Sequence, residues 1–401
     1  MRQPTDKQVK GGAKEMEPLN LETVAAYMNE DPNGKGIFNP THELLAEALG
    51  EQTINLVFRV WSRQDPSRSV VVKQALPYVQ RIGKGWPLTP ERLNIEAAAM
   101  QLHHICCSDR VPALYRHDPQ TYVMIIEDLR PRQEVRAALN NGEKFPLLGK
   151  QMGRYLGQVL GKTSDLAQPT VEKRKKRARF ANPYLCRLTE DLVLINPFRE
   201  NGWGNREDVN ARKEIQTLRN DPVVLERMAT LRYRYRNNTQ ALLHGDLHIG
   251  SILADQSSAK VIDFECASYG PMGFDIGMLT GSLLVNWETQ GKPDAHLDII
   301  ADMWSEFLKE IRKTWRRLDR HDWPKAWLES LVDQIWQDTA GYAACEMVRR
   351  VAGMGQISDL ERIEDDAMRR EMECDLIMMA TDLLKHPGDG PERVREIGAE
   401  M

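Results

Sequence analysis

Apolar and β-branched residues crowd into two short runs early in the chain, INLVFRVW from Ile54 and SVVVKQA from Ser69, separated by the polar turn RQDPSR. Two β-rich runs joined through a proline-containing turn predict a hairpin. Over Thr89–Cys106 the period lengthens. Leu93, Ala97, Met100 and Ile105 recur at helical spacing, which predicts a helix. Two more strand-like runs, ALYRHD and TYVMIIEDL, are joined through Asp118 and Pro119. Two strands, a helix and two strands make an α+β unit with an antiparallel sheet. Upstream, Asn20 predicts the N-cap of a short helix carrying Leu21, Val24, Ala25 and Met28. DPNGKG, Asp31 to Gly36, reads as a turn, and the polar first 18 residues as a mobile tail.

Past Leu129 the pattern becomes mainly helical, with long segments over Gly149–Leu166, Leu297–Leu318 and Leu331–Val351. The exception is Leu242–Phe264, where apolar runs surround polar, glycine-containing turns. The expected architecture is therefore bilobal: a tail over 1–18, a small sheet-rich lobe over 19–129 and a larger helical lobe over 130–401.

Length supports two lobes, since 401 residues exceed what one core usually organises. Hydrophobic residues at 41% and charged residues at 28% are ordinary for a globular chain. A net charge of -4 gives no bulk attraction to nucleic acid or anionic lipid. The N-terminus lacks the apolar run of a secretion signal. No run of about 18 apolar residues predicts a membrane span, and the richest stretch, Met278–Trp287, reads as a core helix. The cysteines at 106, 107, 186, 266, 345 and 374 form no CxxC pair, so free, mostly buried thiols in a reducing cytoplasm are expected.

The densest chemistry lies in LLHGDLHIGSILADQSSAKVIDFE, Leu242 to Glu265. Asp246 stands on a loop beside His244 and Gly245, while Asp263 and Glu265 end the apolar run Val261-Ile262. Phosphoryl transfer from ATP needs one carboxylate near the acceptor hydroxyl and others to hold Mg²⁺ against the phosphates. Residues two apart in an extended segment share a face, so Asp263 and Glu265 are expected to turn toward one metal. Lys73 closes a β-rich run, where a lysine can meet nucleotide phosphates and pair with a helix glutamate; Glu96 is the first candidate partner and Glu91 the second. Glu127, Asp128 and Leu129 end the last strand, where exposed backbone would suit adenine. Arg349 and Arg350 sit near a helix end, and on periodicity alone favourable placement on the helix dipole accounts for them. The basic run Lys173–Arg179 is read as a solvated loop or helix face.

In combination these residues resemble the 5-methylthioribose kinase family, over about Leu21 to Leu360. The most specific pieces are KQALPYVQRIGKGWPLT, HGDLHIGS, VIDFECASYGPMGFDIG and the twin arginines. The resemblance implies a protein-kinase-like fold, ATP and Mg²⁺ as cofactors, a homodimer and the anomeric hydroxyl of S-methyl-5-thioribose as acceptor. It makes Asp246 the catalytic base, Asp263 and Glu265 the metal ligands, and Lys73 a phosphate contact. It brings Arg349 and Arg350 to the sugar and transferred phosphate, and Trp86 onto a loop covering the substrate. Relatives with other acceptors carry Asn where Ser251 stands, and Glu265 compensates for the weaker hydroxyl ligand. Two departures stand out. The nucleotide-covering loop reads EQTINL, Glu51 through Asn55 and on, with Gly50 as its nearest glycine, which leaves less room for backbone amides at phosphate. DFE replaces the family's DPE, and Phe264 loosens a constraint that proline would impose. The alternatives are a same-fold kinase of another small alcohol and a non-catalytic nucleotide-binding module.

Overall fold

A computed structural model describes residues 17–29, 37–39, 41–50, 54–80, 83–318, 323–355 and 357–400. The expected tail up to residue 16, the turn Asp31–Gly36 and Glu51–Thr53 of the covering loop lie outside the described residues. The chain divides into two units, one of residues up to Asn94 with Leu114–Asp128, the other of Ile95–Ala113 with Leu129 onward.

The first unit begins with α1 (Leu21–Asn29). Asn20 Oδ1 accepts the N–H groups of Glu22 and Thr23, both at 2.9 Å, so the predicted cap is in place. The predicted hairpin is β2 (Leu56–Ser62) and β3 (Ser69–Gln74), preceded by β1 (Leu44–Ala48), a strand the sequence reading left out. LLAEA carries two alanines and a glutamate, a weak strand signal; pairing with β2 decides it. A two-stranded ribbon follows, β4 (Tyr78–Val79) and β5 (Gly83–Pro87). After α2 (Arg92–Cys106), which from Ile95 on belongs to the second unit, come β6 (Leu114–Asp118) and β7 (Val123–Glu127). The main sheet is antiparallel, in the order β1-β2-β3-β7-β6. Phe58, Val60, Val70, Val72 and Ile125 form its core, each contributing about 1.5–3 kcal/mol on burial.

The second unit is mostly helical. β8 (Gln133–Glu134), α3 (Val135–Asn140), α4 (Leu148–Thr163), α5 (Thr170–Arg179), α6 (Pro183–Thr189), α7 (Arg212–Asn220) and α8 (Pro222–Asn237) lead to β9 (Ala241–Leu243). Then come β10 (Ile252–Ala254), β11 (Ala259–Val261) and β12 (Ser268–Gly270). They form two small antiparallel sheets, β11-β10-β8 and β12-β9. The chain closes with α9 (Gly273–Thr289), α10 (Asp294–Trp315), α11 (Lys325–Ala352), α12 (Ser358–Glu361), α13 (Asp366–Lys385) and α14 (Glu392–Glu400). The expected core helix is α9, buried along its whole length. No helix among the described residues is long and apolar enough to cross a membrane. All six cysteines are free, but only Cys107 and Cys345 are buried and the other four are half-buried.

Glycines at four-residue spacing set two of the helix pairs. On α4, a Cβ at Gly149 would come 2.4 Å from Ile299 O, and one at Gly153 2.3 Å from Met303 O, both backbone atoms of α10. On α9, Gly277 and Gly281 meet Thr339 O and Ala343 O of α11 in the same way, at 2.6 and 2.4 Å. The second pair seats α11, and with it Glu346, Arg349 and Arg350, against the helix that supports the Asp246 loop. Gly153→Ala is expected to destabilise the protein. Alanine gains about 1 kcal/mol of helix propensity, but overpacking against a backbone carbonyl costs about 1–3 kcal/mol. A lowered urea midpoint at unchanged m-value would register this; a raised midpoint would contradict the close packing.

Candidate active site

β9 ends at Leu243, and the chain turns through His244, Gly245 and Asp246. Gly245 has φ +90°, and a Cβ there would lie 2.1 Å from Cys266 O, so only glycine fits. Asp275, in the first turn of α9, accepts the N–H of His244 at 2.6 Å and of Gly245 at 3.0 Å. Burial pushes its carboxyl up, against those two hydrogen bonds. His244 Nε2 donates to Ile262 O at 2.8 Å, leaving Nδ1 to accept the Asp246 N–H at 3.3 Å. The loop is thereby tied to the segment leading into Asp263. Ser251 closes its far side: Oγ donates to His248 O at 2.8 Å and accepts the His248 N–H at 3.0 Å.

Asp246 is half-buried, its side chain 31% exposed. Arg349 Nη1 donates to Oδ1 at 3.0 Å. Oδ2 has His248 Nε2 at 3.9 Å, beyond hydrogen-bond reach, and His248 Nδ1 accepts the Gly250 N–H. Burial alone would raise the Asp246 carboxyl; the cationic Arg349 and Arg350 outweigh it and hold the group well below the usual carboxylate range. Burial pushes His248 well down, leaving it neutral at ordinary pH.

The twin arginines do not serve the helix end, as helical spacing alone had implied. They are ordered by Glu346, fully buried one turn earlier on α11. Its Oε1 accepts from Arg350 Nε at 2.6 Å and its Oε2 from Arg349 Nη1 at 3.4 Å. Arg350 Nη1 donates to Gly355 O, beyond the helix. Burial, with the neighbouring cations, lowers Arg350 to about 10, while Asp246 and Glu346 more than offset burial for Arg349 and hold it above its ordinary value. A third guanidinium stands close by. Arg136 on α3 pairs through Nε with buried Asp359 at 3.0 Å, and a Cβ at Gly250 would come 2.9 Å from its Nη1. Arg136 Nη2, Arg349 Nε and Arg350 Nη2 are buried and make no hydrogen bond among the described residues. Three cations with buried donors beside a pinned carboxylate can receive the oxygens of a phosphoryl group.

Asp263 and Glu265 correct the expected geometry. β11 stops at Val261; Asp263 adopts φ +66°, and Phe264–Cys266 is a turn of 3-10 helix, so the two carboxylates are not on one face of an extended strand. Asp263 is exposed and Glu265 half-buried. Both remain near the loop. Burial raises the Cys266 thiol, and the charges of Asp246 and Glu265 raise it further, so the thiol lies within reach of both. Burial likewise raises Glu134, and Asp359 and Asp263 add to it against Arg136. Phe264, which stands where the family has proline, also has a packing role. It is fully buried between His244 and His103, with ring centroids at 4.8 and 5.0 Å. No group of three or more His, Cys, Asp or Glu among the described residues is arranged to hold a metal.

The remaining candidates lie in the first unit, except Glu96 and Leu129. Lys73 is buried on β3, opposite Met124 of β7 and Val57 of β2. Glu91 accepts from Tyr122 Oη at 2.7 Å and from Asn94 Nδ2 at 2.8 Å, which occupies it at the sheet surface; Glu96 is buried on α2. Asn55 Oδ1 accepts from Arg92 Nε at 3.1 Å and Nη2 at 2.8 Å, so its carboxamide anchors the end of the covering loop. Trp86, expected on a loop, is half-buried in the short strand β5. Glu127 closes β7 opposite Val70. The Asp128 carboxylate is taken by Arg59 Nε at 2.6 Å, so only its backbone suits a base. Leu129 is buried, and its carbonyl accepts the Arg132 N–H at 3.0 Å.

Sequence reasoning missed Glu346, Arg136 and the role of Asp275. Glu346 carried a signal, since E-x-x-R-R puts it one turn from both arginines. Arg136 carried none: its anchor, Asp359, is remote in sequence and meets it only in the fold.

The fold and this site define a phosphotransferase of protein-kinase-like, α+β architecture, and residues 46–321 match the phosphotransferase enzyme family. A methylthioribose kinase of Bacillus cereus is 35% identical over 371 residues, covering 91% of this chain and 92% of the relative. One of Bacillus anthracis is 34% identical over the same length and coverage. The chain belongs to the methylthioribose kinase family. Among solved structures, Plasmodium vivax ethanolamine kinase aligns over 92% of this chain and 89% of its own, at TM-score 0.48 and 16% identity.

Proposed function

We propose that this protein transfers the γ-phosphoryl group of ATP to the anomeric 1-hydroxyl of S-methyl-5-thioribose, giving the 1-phosphate and ADP, a step of methionine salvage. The observation that carries the reading is the Asp246 carboxylate, held by Arg349 through one oxygen, in a chain 35% identical to a methylthioribose kinase over 371 residues.

In this reading Asp246 Oδ2 accepts the hydrogen bond of the acceptor hydroxyl and aims its oxygen at phosphorus. Its depressed pKa makes it a weak base. That suits a loose transition state, in which the hydroxyl surrenders its proton late and positioning does most of the work. Arg349 and Arg350 receive the oxygens of the transferred group through their unused N–H donors, and Arg136 supplies a third cation. Lys73 meets the nucleotide phosphates, Asn55 steadies the covering loop, and the backbone of Glu127, Asp128 and Leu129 faces the adenine. Trp86 covers the thioribose.

Asp263 and Glu265 would hold Mg²⁺, which supplies neutralisation of charge on the β- and γ-phosphates. Two carboxylates are the donor set this ion takes when phosphate oxygens and water complete its shell. A cytoplasmic homodimer belongs to the same reading.

The test is ADP release with a panel of acceptors: S-methyl-5-thioribose, its 5-deoxy analogue, choline and an aminoglycoside. The thioribose should give the highest kcat/KM. A higher value for another alcohol would move the protein to a different acceptor. Thermal stabilisation by Mg-ATP with no phosphotransfer to any of them would make it a nucleotide-binding module.

A further inference from the structure

The basic run Lys173–Arg179 has no part in the site above. It forms most of α5, and its side chains have different fates. Lys173 is buried and paired with Asp165 at 2.5 Å. Lys175 pairs with Glu172, Lys176 donates to Gln168, and Arg179 lies over the Phe180 ring. Arg174 and Arg177 have neither an ion pair nor a hydrogen bond among the described residues. These two, exposed and three residues apart on one helix face, line an open cavity of about 600 Å³ bordered by α5, α6, α8 and β12. With Thr239 they also line a second cavity of about 420 Å³, so the two spaces meet at the arginine pair.

The carboxylates facing these cavities are already committed. Glu190 holds Arg232 and Arg236, both at 2.6 Å, and Asp165 holds Lys173, while Arg187 of the wall is taken by Asp191 at 2.7 Å from outside the cavity lining. No carboxylate facing the cavities is left for Arg174 and Arg177, and the Glu190 cluster, one carboxylate shared by two arginines, adds a further positive charge. The wall also contains Tyr269, only 7% exposed, whose hydroxyl makes no hydrogen bond among the described residues and lies within reach of the Arg177 charge. Phe180 and Tyr235 give the same cavity an aromatic side.

We propose that this basin is a second binding site, distinct from the Asp246 loop, for a small phosphate monoester. Arg174 and Arg177 clasp the phosphate, and the aromatic wall takes the organic part. Paired guanidinium groups suit the oxygens of a phosphate dianion. A volume of several hundred Å³ fits a metabolite rather than a polymer, and the chain's net charge of -4 gives a polyanion no general attraction.

The test is calorimetric titration of the full-length protein with ribose 5-phosphate and with inorganic phosphate, the nucleotide site being filled by a non-hydrolysable ATP analogue. Wild type should bind ribose 5-phosphate saturably and more tightly than inorganic phosphate. R174A/R177A should weaken it at least tenfold while leaving turnover and melting temperature unchanged, and D246N should leave it intact. No saturable binding of either probe would overturn the proposal. So would binding that survives R174A/R177A but is lost in D246N, which puts the ligand at the Asp246 loop. Binding of a single-stranded RNA oligomer lost in R174A/R177A, with no binding of the small phosphates, would replace the metabolite with a polyanion.

Discussion

Asp246→Asn is expected to lower kcat by about 10³-fold or more while leaving the melting temperature within a degree or two of wild type. The substitution keeps the shape and a partner for Arg349, whose bond to Oδ1 is 3.0 Å, but removes the negative charge that orders the acceptor hydroxyl. Positioned acid–base groups are worth about 10²–10⁴ in rate, and orientation adds to that. Turnover retained within tenfold of wild type would take Asp246 out of the mechanism. The wild-type pH profile makes a companion check. The folded-state pKa of Asp246 is depressed, so the active ionised form persists above that value and is lost only as pH falls through it. The acidic limb due to this group should therefore lie below the reference carboxylate value of about 3.9. A kcat limb between pH 5 and 7 that Asp246→Asn abolishes would contradict the assignment.

Glu346→Ala should damage both stability and catalysis. Glu346 is fully buried and is the carboxylate shared by Arg349 and Arg350. Removing one partner of a buried ion cluster leaves uncompensated charge and costs about 3–5 kcal/mol. Arg350 is also burdened by burial and by neighbouring cations, which lower its pKa to about 10. The variant should unfold at lower urea with its m-value unchanged. The remaining folded protein should lose about 10²-fold or more in kcat, because Arg349 no longer has a fixed approach to Asp246. Glu346→Gln should recover part of the stability and less of the rate, since it keeps acceptor geometry for Arg350 but no charge. Wild-type stability and turnover in Glu346→Ala would mean that the arginines are ordered by something else.

Much of this was readable in the chain because its signals were local. The hairpin β2–β3, the strands β6 and β7, the cap at Asn20 and the core helix α9 all follow from spacing and propensity within a few residues. HGDLHIGS was readable for the same reason: His244, Gly245, Asp246 and Ser251 fall within eight residues and build one loop, although the bonds that hold it from outside, to Asp275, Ile262 and Arg349, were not. Strand β1 was not, because LLAEA becomes a strand only when β2 is there to pair with it. Asp263 and Glu265 were assigned to the right neighbourhood by their type and the wrong geometry by their spacing, since a left-handed residue and a 3-10 turn interrupt the strand. Arg349 and Arg350 show the limit most clearly. Their position in the last turn of α11 invited a helix-dipole account, whereas the fold turns them onto Asp246 and Glu346. The glycines of α9 had no meaning until α11 was seen to lie against them.

The most direct measurement is phosphorus-31 NMR of a reaction containing the protein, ATP, Mg²⁺ and S-methyl-5-thioribose. The account predicts that the γ-phosphate signal is replaced by one new phosphate monoester whose phosphorus couples to the anomeric proton of the sugar, with ADP formed in equal amount. Release of inorganic phosphate alone, or a new ester coupled to any other sugar proton, would contradict it.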